Sequence, residues 1–296
     1  MQGILRMDEP LKNIFRLQIT SLSGFDFQDF VSELFLLKLG DKDFIPPRKV
    51  KDKGCDGIIH SERRVLACYA PENYNSTTFL TKINSDFESY RKYWEKEYPN
   101  WMFITNQDVS PEQIIKINEL KKETPLIGIK NIIAIIENLD SSKRRKLGRY
   151  LRIDQEYFAR DYLREILEDL LRDTDISDRS VLYSKPTYVP DKIELNYEKI
   201  DVEGATQEYD IVSDYFIRIE EIIKGFEDKE IDKIKLKIIN DFNMKKGSFK
   251  ERLEQQTLQY LDKYSPGDDD YLFFIRAILI YHFEQCLIGE KTGAEK

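Results

Sequence analysis

Residues 53–59 read KGCDGII and residues 65–72 read VLACYAPE, and these two short stretches decide the fold of the first half of the chain. In the first, a turn bounded by glycines carries Asp56 into a run of β-branched residues. The second is an apolar run with the length and composition of a buried strand. Together with the extended residues 44–47 they predict a β-meander with an aspartate at one of its turns.

Helical patterns flank this meander. Apolar residues recur at helical spacing from residue 25 until Gly40, and again over residues 79–97. An apolar run of the buried-strand type follows at residues 101–106, and Pro111 opens another helix. The order is helix, three strands, helix, strand, helix, strand or loop, helix, which predicts an α/β domain with a mixed sheet flanked by helices.

The second half of the chain has a different pattern. Residues 157–172 predict an amphipathic helix, and the weakly periodic, proline-containing residues 173–202 predict a boundary or an extended connecting arm. Every later segment is helical in pattern. We therefore expect an α/β domain over residues 1–152, a helix and arm over 153–202, and an all-α bundle over 203–296 that dimerises or docks onto partners.

Composition excludes several classes of protein. The chain has 296 residues, of which 41% are hydrophobic, so it is not a disordered tail. Its net charge of -8 excludes a protein that coats nucleic acid by bulk charge, but permits a local basic groove. Three Cys and two His are too few and scattered for a disulfide framework or a paired zinc site. The absence of a signal-like or uninterrupted apolar segment predicts a cytoplasmic protein without membrane contact.

Three segments together resemble one enzyme superfamily. They are GFDFQDFVSELF at residues 24–35, DKGCDGII at 52–59 and VLACYAPE at 65–72. They resemble the Mrr-like branch of the PD-(D/E)XK nucleases, in which a helix precedes a turn whose Asp binds a divalent metal. The resemblance covers roughly residues 24–136. It implies a restriction-endonuclease-like fold and a DNA endonuclease that depends on Mg²⁺ or Mn²⁺.

The family's next strand supplies Glu or Gln, any residue, and Lys, because carboxylate oxygens hold the hard cation and the lysine stabilises charge at the phosphate. Asp56 matches the family's Asp, but eleven positions later this chain has Ala67, and Tyr69 stands in place of Lys. Either the site is broken or its groups have migrated. In the second case we expect Asp56, Lys82 and Tyr69 to be catalytic, with Asp56 and Glu33 as metal ligands. The alternative role of Asp56 is to cap its own turn.

Two basic clusters are candidates for contact with the DNA backbone, which requires only local positive charge. The alternative for both is a solvated surface. The first cluster consists of Arg48, Lys49, Lys51 and Lys53, and the second of Lys143, Arg144, Arg145, Lys146, Arg149 and Arg152.

The ending Tyr-Ala-Pro-Glu resembles nuclease-like effector subunits of prokaryotic anti-phage defence systems of the Lamassu or ABC three-component type. That resemblance implies an SMC-like or ABC-type ATPase and a small accessory subunit as partners. We therefore expect a metal-dependent DNA endonuclease effector that partner subunits control and that forms a homo-oligomer through its C-terminal helices. One alternative is a degenerate nuclease fold that binds DNA or proteins without cutting, and another is a scaffold without a nucleic-acid role.

Overall fold

The structure, a computed structural model, describes residues 7–47, 53–173, 188–264 and 268–291. The chain divides into two compact units, Met1–Tyr157 and Phe158–Lys296. Its described residues form a mixed α/β structure that is mostly helical, with one five-stranded sheet. Within that described part, none of the helices is long and apolar enough to cross a membrane.

The sheet lies in the first unit and has the strand order β1-β2-β3-β4-β5. The first three strands pair antiparallel, whereas β4 and β5 join the sheet in parallel. It is therefore a mixed sheet, as the order of the sequence patterns predicted. Its strands are β1 (Phe44–Ile45), β2 (Gly57–Ile59), β3 (Arg64–Tyr69), β4 (Asn100–Thr105) and β5 (Leu126–Ile127).

Helices connect and flank these strands. The Asn75 side chain caps the helix after β3 by accepting the Thr78 N–H at 3.1 Å, and Ser110 caps the helix after β4 in a capping box with Gln113. The helices of the first unit are α1 (Glu9–Ser21), α2 (Gly24–Leu39), α3 (Ser76–Tyr93), α4 (Pro111–Leu120), α5 (Ile129–Glu137) and α6 (Ser141–Tyr150).

The two faces of the sheet pack against different helices. On one face, Val65 and Ala67 of β3 share an apolar core with Phe79 and Ile83 of α3. On the other face, Phe44 of β1 stacks on Phe35 of α2, with ring centroids 5.5 Å apart. Gly57 belongs to this second face, because a Cβ added there would lie 2.7 Å from the Phe44 ring. Strand β3 therefore separates an α3 side from an α2 side.

The second unit is helical throughout its described residues. Its last helix is the most buried, and it packs most extensively against the helix before it. The helices are α7 (Glu156–Arg172), α8 (Val189–Asn196), α9 (Val202–Ser213), α10 (Phe216–Ile223), α11 (Asp228–Met244), α12 (Phe249–Leu261) and α13 (Asp269–Glu284).

Three elements depart from the sequence-based expectation. Helix α1 was not predicted. The predicted helix from residue 132 onward is two helices, because the Asp140 side chain caps a new helix by accepting the Lys143 N–H at 2.8 Å. Part of the predicted extended arm is helix α8, in which Pro190 occupies the first turn, where a proline removes no helical hydrogen bond.

The fully buried His282 of α13 makes the second unit sensitive to acid. Its Nδ1 lies 2.8 Å from the Ile278 carbonyl oxygen, and burial lowers its pKa to about 4. In the unfolded chain the imidazole binds a proton near pH ~6.5. Between these two pH values the unfolded state holds the extra proton, so the free energy of unfolding falls by about 3 kcal/mol as the pH drops through this window.

We expect His282→Gln to lose most of this pH dependence, because glutamine does not titrate. Urea unfolding at pH 7 and pH 4.5 measures it. The matched control is His60→Gln, since His60 is exposed, and it should keep the wild-type dependence. An equal acid sensitivity of His282→Gln and wild type would contradict the assignment.

Candidate functional site

Asp56 is fixed at the start of β2 by two hydrogen bonds to β3. Its N–H donates to the Leu66 carbonyl at 2.8 Å, and its Oδ2 accepts the Cys68 N–H at 2.6 Å. Because Gly57 is the residue paired with Leu66, both Asp56 and Gly57 face that one residue of β3. This is a β-bulge, which breaks the alternation of side chains along a strand and re-aims the residue at the bulge.

The bulge decides which side chains share a face with Asp56. Val65 and Ala67 point to the α3 side, so Leu66 and Cys68 point to the α2 side by strand alternation. The bulge places Asp56 on the α2 side with Gly57. The residue of β3 that shares its face is therefore Cys68, whereas Ala67, at the position where the nuclease family has Glu or Gln, is buried on the opposite face.

Asp56 opens onto a pocket of about 270 Å³ between the sheet and α2. Asp29 and Glu33 line it from α2, where their four-residue spacing places them on one face of the helix. Tyr150 lines it from α6. The two predicted metal ligands, Asp56 and Glu33, are thus brought to the same pocket. The other lining residues are Gln28, Ser32, Leu36, Pro46, Pro47 and Cys55.

The pocket is electrostatically negative. Burial raises the pKa of Tyr150, and the carboxylates of Asp29 and Glu33 raise it further. Burial also raises the pKa of the Cys68 thiol, with the Asp56 carboxylate adding to that rise. No Lys or Arg is among the described residues that line the pocket. Such surroundings favour a bound cation.

A divalent metal is the cation that the nuclease resemblance implies, and the donors of the pocket suit it chemically. Carboxylate, amide and hydroxyl oxygens are hard ligands of the kind that Mg²⁺ prefers. Among the described residues, no group of three His, Cys, Asp or Glu side chains lies close enough together to hold a metal ion. Mg²⁺ in nucleotide-processing sites is usually held by only one or two carboxylates, with waters and substrate phosphates completing the shell. Asp56 and Glu33 supply two carboxylates to the lining of one pocket.

The structure does not bring the other two predicted catalytic residues into this pocket. Lys82 forms an ion pair with Asp86, one turn further along α3. Tyr69 packs its ring against Phe79 at 5.7 Å between centroids, on the α3 side. Lys82 does lie close enough to Cys68 to oppose the rise in the thiol pKa. Neither Lys82 nor Tyr69 lines the pocket, so the structure does not group them with Asp56 and Glu33.

The first predicted DNA-binding cluster is only partly described. Arg48, Lys49 and Lys51 lie outside the described residues. Lys53 is exposed, and its ammonium group lies 4.9 Å from the centre of the Tyr93 ring.

The second cluster needs a correction at Arg144. This side chain is fully buried and donates hydrogen bonds to the Leu139 carbonyl and to Ser141 Oγ. It holds the start of α6 and cannot reach a phosphate. Lys143 pairs with Asp140 at 3.2 Å, and Arg145 donates to Gln155 at 2.9 Å. The exposed members of the cluster are instead Lys146, Arg149 and Arg152.

Sequence reasoning missed three polar side chains of the pocket that lie near Glu33 on α2. One of them is Asp29, and its four-residue spacing from Glu33 was a signal in the sequence that could have identified it. Nothing local to the Asp56 turn indicated Tyr150, since a different helix carries it. The other missed polar residues are Gln28 and Ser32.

In comparisons with known proteins, no family model, no curated protein and no solved structure matches this chain.

Because the Asp56 carboxylate accepts a hydrogen bond from the Cys68 N–H, two substitutions of Asp56 should differ in their effect on stability. Asp56→Ala leaves the Cys68 N–H without this acceptor and should lower the free energy of unfolding by about 1–3 kcal/mol. Asp56→Asn keeps an oxygen acceptor and should lose less. Chemical denaturation of both variants measures the difference, and equal stability of the two would contradict the structural role of this bond.

Proposed function

We propose that this chain is the endonuclease effector subunit of a multi-component prokaryotic defence complex, with a PD-(D/E)XK-like fold that cleaves DNA with the help of a divalent cation. The observation that carries the proposal is that Asp56, at the bulged start of β2, and Glu33, on α2, line one acidic pocket. Two separate elements that the motif resemblance singled out thus contribute to one site.

The order and pairing of the helices and strands support the proposal. Helix α2 precedes an antiparallel β1-β2-β3 meander, and α3 then leads to the parallel strand β4. This is the order that the resemblance implies, with the aspartate turn entering the second strand.

Each polar residue of the pocket has a distinct role in this proposal. The Cys68 N–H orients the Asp56 carboxylate, and α2 supplies Glu33 from the facing wall. These two carboxylates would hold Mg²⁺ or Mn²⁺, which supplies Lewis-acid activation of water and neutralises phosphate charge. Tyr150 is protonated at neutral pH, because the ordinary tyrosine pKa of about 10 is raised further here, so its hydroxyl is available as a hydrogen-bond donor at the pocket wall.

The partner subunits belong to the proposal through the motif resemblance. An SMC-like or ABC-type ATPase and a small accessory protein would control when the effector acts. The second unit offers apolar surface for self-association or docking, because Ile200, Ile211 and Ile217 are 87%, 60% and 70% exposed.

A second candidate is a nuclease-like fold that binds DNA without cutting it. The observation that favours it is the burial of Ala67 in the apolar core on the α3 side. A glutamate at that position would bury a charge among Phe79 and Ile83, which is costly without a partner. Lys82, paired with Asp86, also supplies no cation to the pocket. In this reading the acidic pocket is a remnant of the catalytic site.

Incubation of the purified chain with supercoiled plasmid and Mg²⁺ or Mn²⁺ separates the two candidates. We expect nicking or linearisation by the wild type. Asp56→Asn and Glu33→Gln should each reduce the cleavage rate by about 100-fold or more, because each removes a metal-binding carboxylate. The matched control is Glu119→Gln, an equal change of charge on the exposed surface of α4, and it should cut at the wild-type rate.

The other outcomes are equally informative. Cleavage that persists in Asp56→Asn would contradict the assignment of the site. Binding of DNA without cleavage by the wild type would favour the second candidate. Absence of both binding and cleavage would favour a scaffold.

A further inference from the structure

We propose that three exposed cations on α6, namely Lys146, Arg149 and Arg152, form the surface that holds the DNA backbone beside the acidic pocket. We call these three residues the α6 ridge. The inference rests on the proposed function, because it assigns the place where the nucleic-acid substrate is held. These three residues belong to the predicted second basic cluster, of which Arg144 is buried.

The ridge is a continuous exposed surface. Lys146 and Arg149 are three residues apart, so they are neighbours on the helix, and Arg152 continues the row just beyond its end. All three are exposed. Another face of α6 is buried and includes Arg144, Leu147 and Gly148. The helix thus directs one face into the first unit and presents the ridge to solvent.

The charges of the ridge have no acidic partners among the residues that the structure describes. Lys143 pairs with Asp140, and Arg145 donates to Gln155, but Lys146, Arg149 and Arg152 form no ion pair with any described carboxylate. In a chain of net charge -8, three nearby cations that form no described ion pair present a local group of positive charges. A phosphate backbone is attracted to such a group by release of its counterions.

Arg152 adopts a backbone conformation that favours glycine. Its φ is 57°, and the Ile153 N–H donates to the Gly148 carbonyl at 2.8 Å, so Arg152 occupies the left-handed position that ends α6. Glycine adopts this conformation without a steric penalty. Termination of the helix alone would therefore favour glycine at this position. An arginine at this position is better explained if its side chain binds a ligand.

The ridge adjoins the pocket through Tyr150. Tyr150 follows Lys146 by four residues, so the two side chains lie on one face of α6, and Tyr150 lines the pocket together with Glu33 and Asp56. The carboxylates of the pocket repel a phosphate backbone when no cation is bound. A separate basic surface is therefore needed to bring DNA to the pocket, and the α6 ridge provides it.

Helix dipoles favour cations at helix C-termini, so the same charges could serve stability alone. The substitution Arg152→Gly separates these roles. It relieves the left-handed backbone at that position while it removes a phosphate contact. We expect Arg152→Gly to keep or raise the melting temperature and to weaken DNA binding.

The test is fluorescence anisotropy with a labelled 30-nucleotide DNA, as duplex and as single strand, in EDTA at several salt concentrations. We expect Lys146→Ala, Arg149→Ala and Arg152→Gly each to weaken binding about 5- to 10-fold at 0.1 M salt, and each to reduce the slope of log affinity against log salt by about 1. The matched control is Lys122→Ala, an exposed lysine of the same unit, which should bind as wild type does.

Because EDTA removes divalent cations, this test is independent of cleavage. If the ridge variants bind like wild type while plasmid cleavage still requires Asp56, the ridge inference is overturned and the proposed function stands. If they lose binding while the wild type does not cut, the ridge stands and the proposed catalysis fails. If wild type binds neither form of DNA, or if Lys122→Ala weakens binding as much as the ridge variants do, the inference is also overturned.

Discussion

The hydrogen bond from the Cys68 N–H to the Asp56 carboxylate is the contact on which the candidate site depends. It spans the β-bulge where Asp56 and Gly57 both face Leu66. Without the bulge, alternation would turn Asp56 toward the apolar core on the α3 side, where its charge would be buried without a partner. With it, the carboxylate reaches the α2 side and meets the acidic residues of that helix.

The sequence predicted the order of helices and strands around the candidate site, because short local patterns determine each of these elements. The apolar period over α2, the glycine-bounded turn at Asp56 and the apolar run of β3 are each visible within a few residues. The grouping of Asp56 with Glu33 was predicted from the need to replace the carboxylate missing at Ala67. The bulge was not predicted, since it depends on the register between β2 and β3. Counting eleven positions from Asp56 therefore led to Ala67, although Cys68 is the residue of β3 that shares its face.

In two other places, a charged side chain that looks available in the sequence is engaged by near neighbours along the chain. Arg144 looks like its basic neighbours, yet the geometry of the α5–α6 connection surrounds its side chain with carbonyl and hydroxyl acceptors. Lys82 looks available for catalysis, but Asp86 on the same helix engages it. In both cases the cationic side chain is engaged by other groups of the protein. The cations of the α6 ridge are exposed and form no described ion pair, so we propose that they attract DNA to a pocket whose own charge is negative.

The central claim is that Asp56 and Glu33 hold one divalent cation in the pocket between the sheet and α2. Crystals of the protein soaked in Mn²⁺ test it directly, because anomalous scattering locates manganese independently of activity. The account predicts an anomalous peak within coordination distance, about 2.0–2.3 Å, of a carboxylate oxygen of each of these residues. A pocket without a peak, or manganese bound only at other carboxylates, would contradict it.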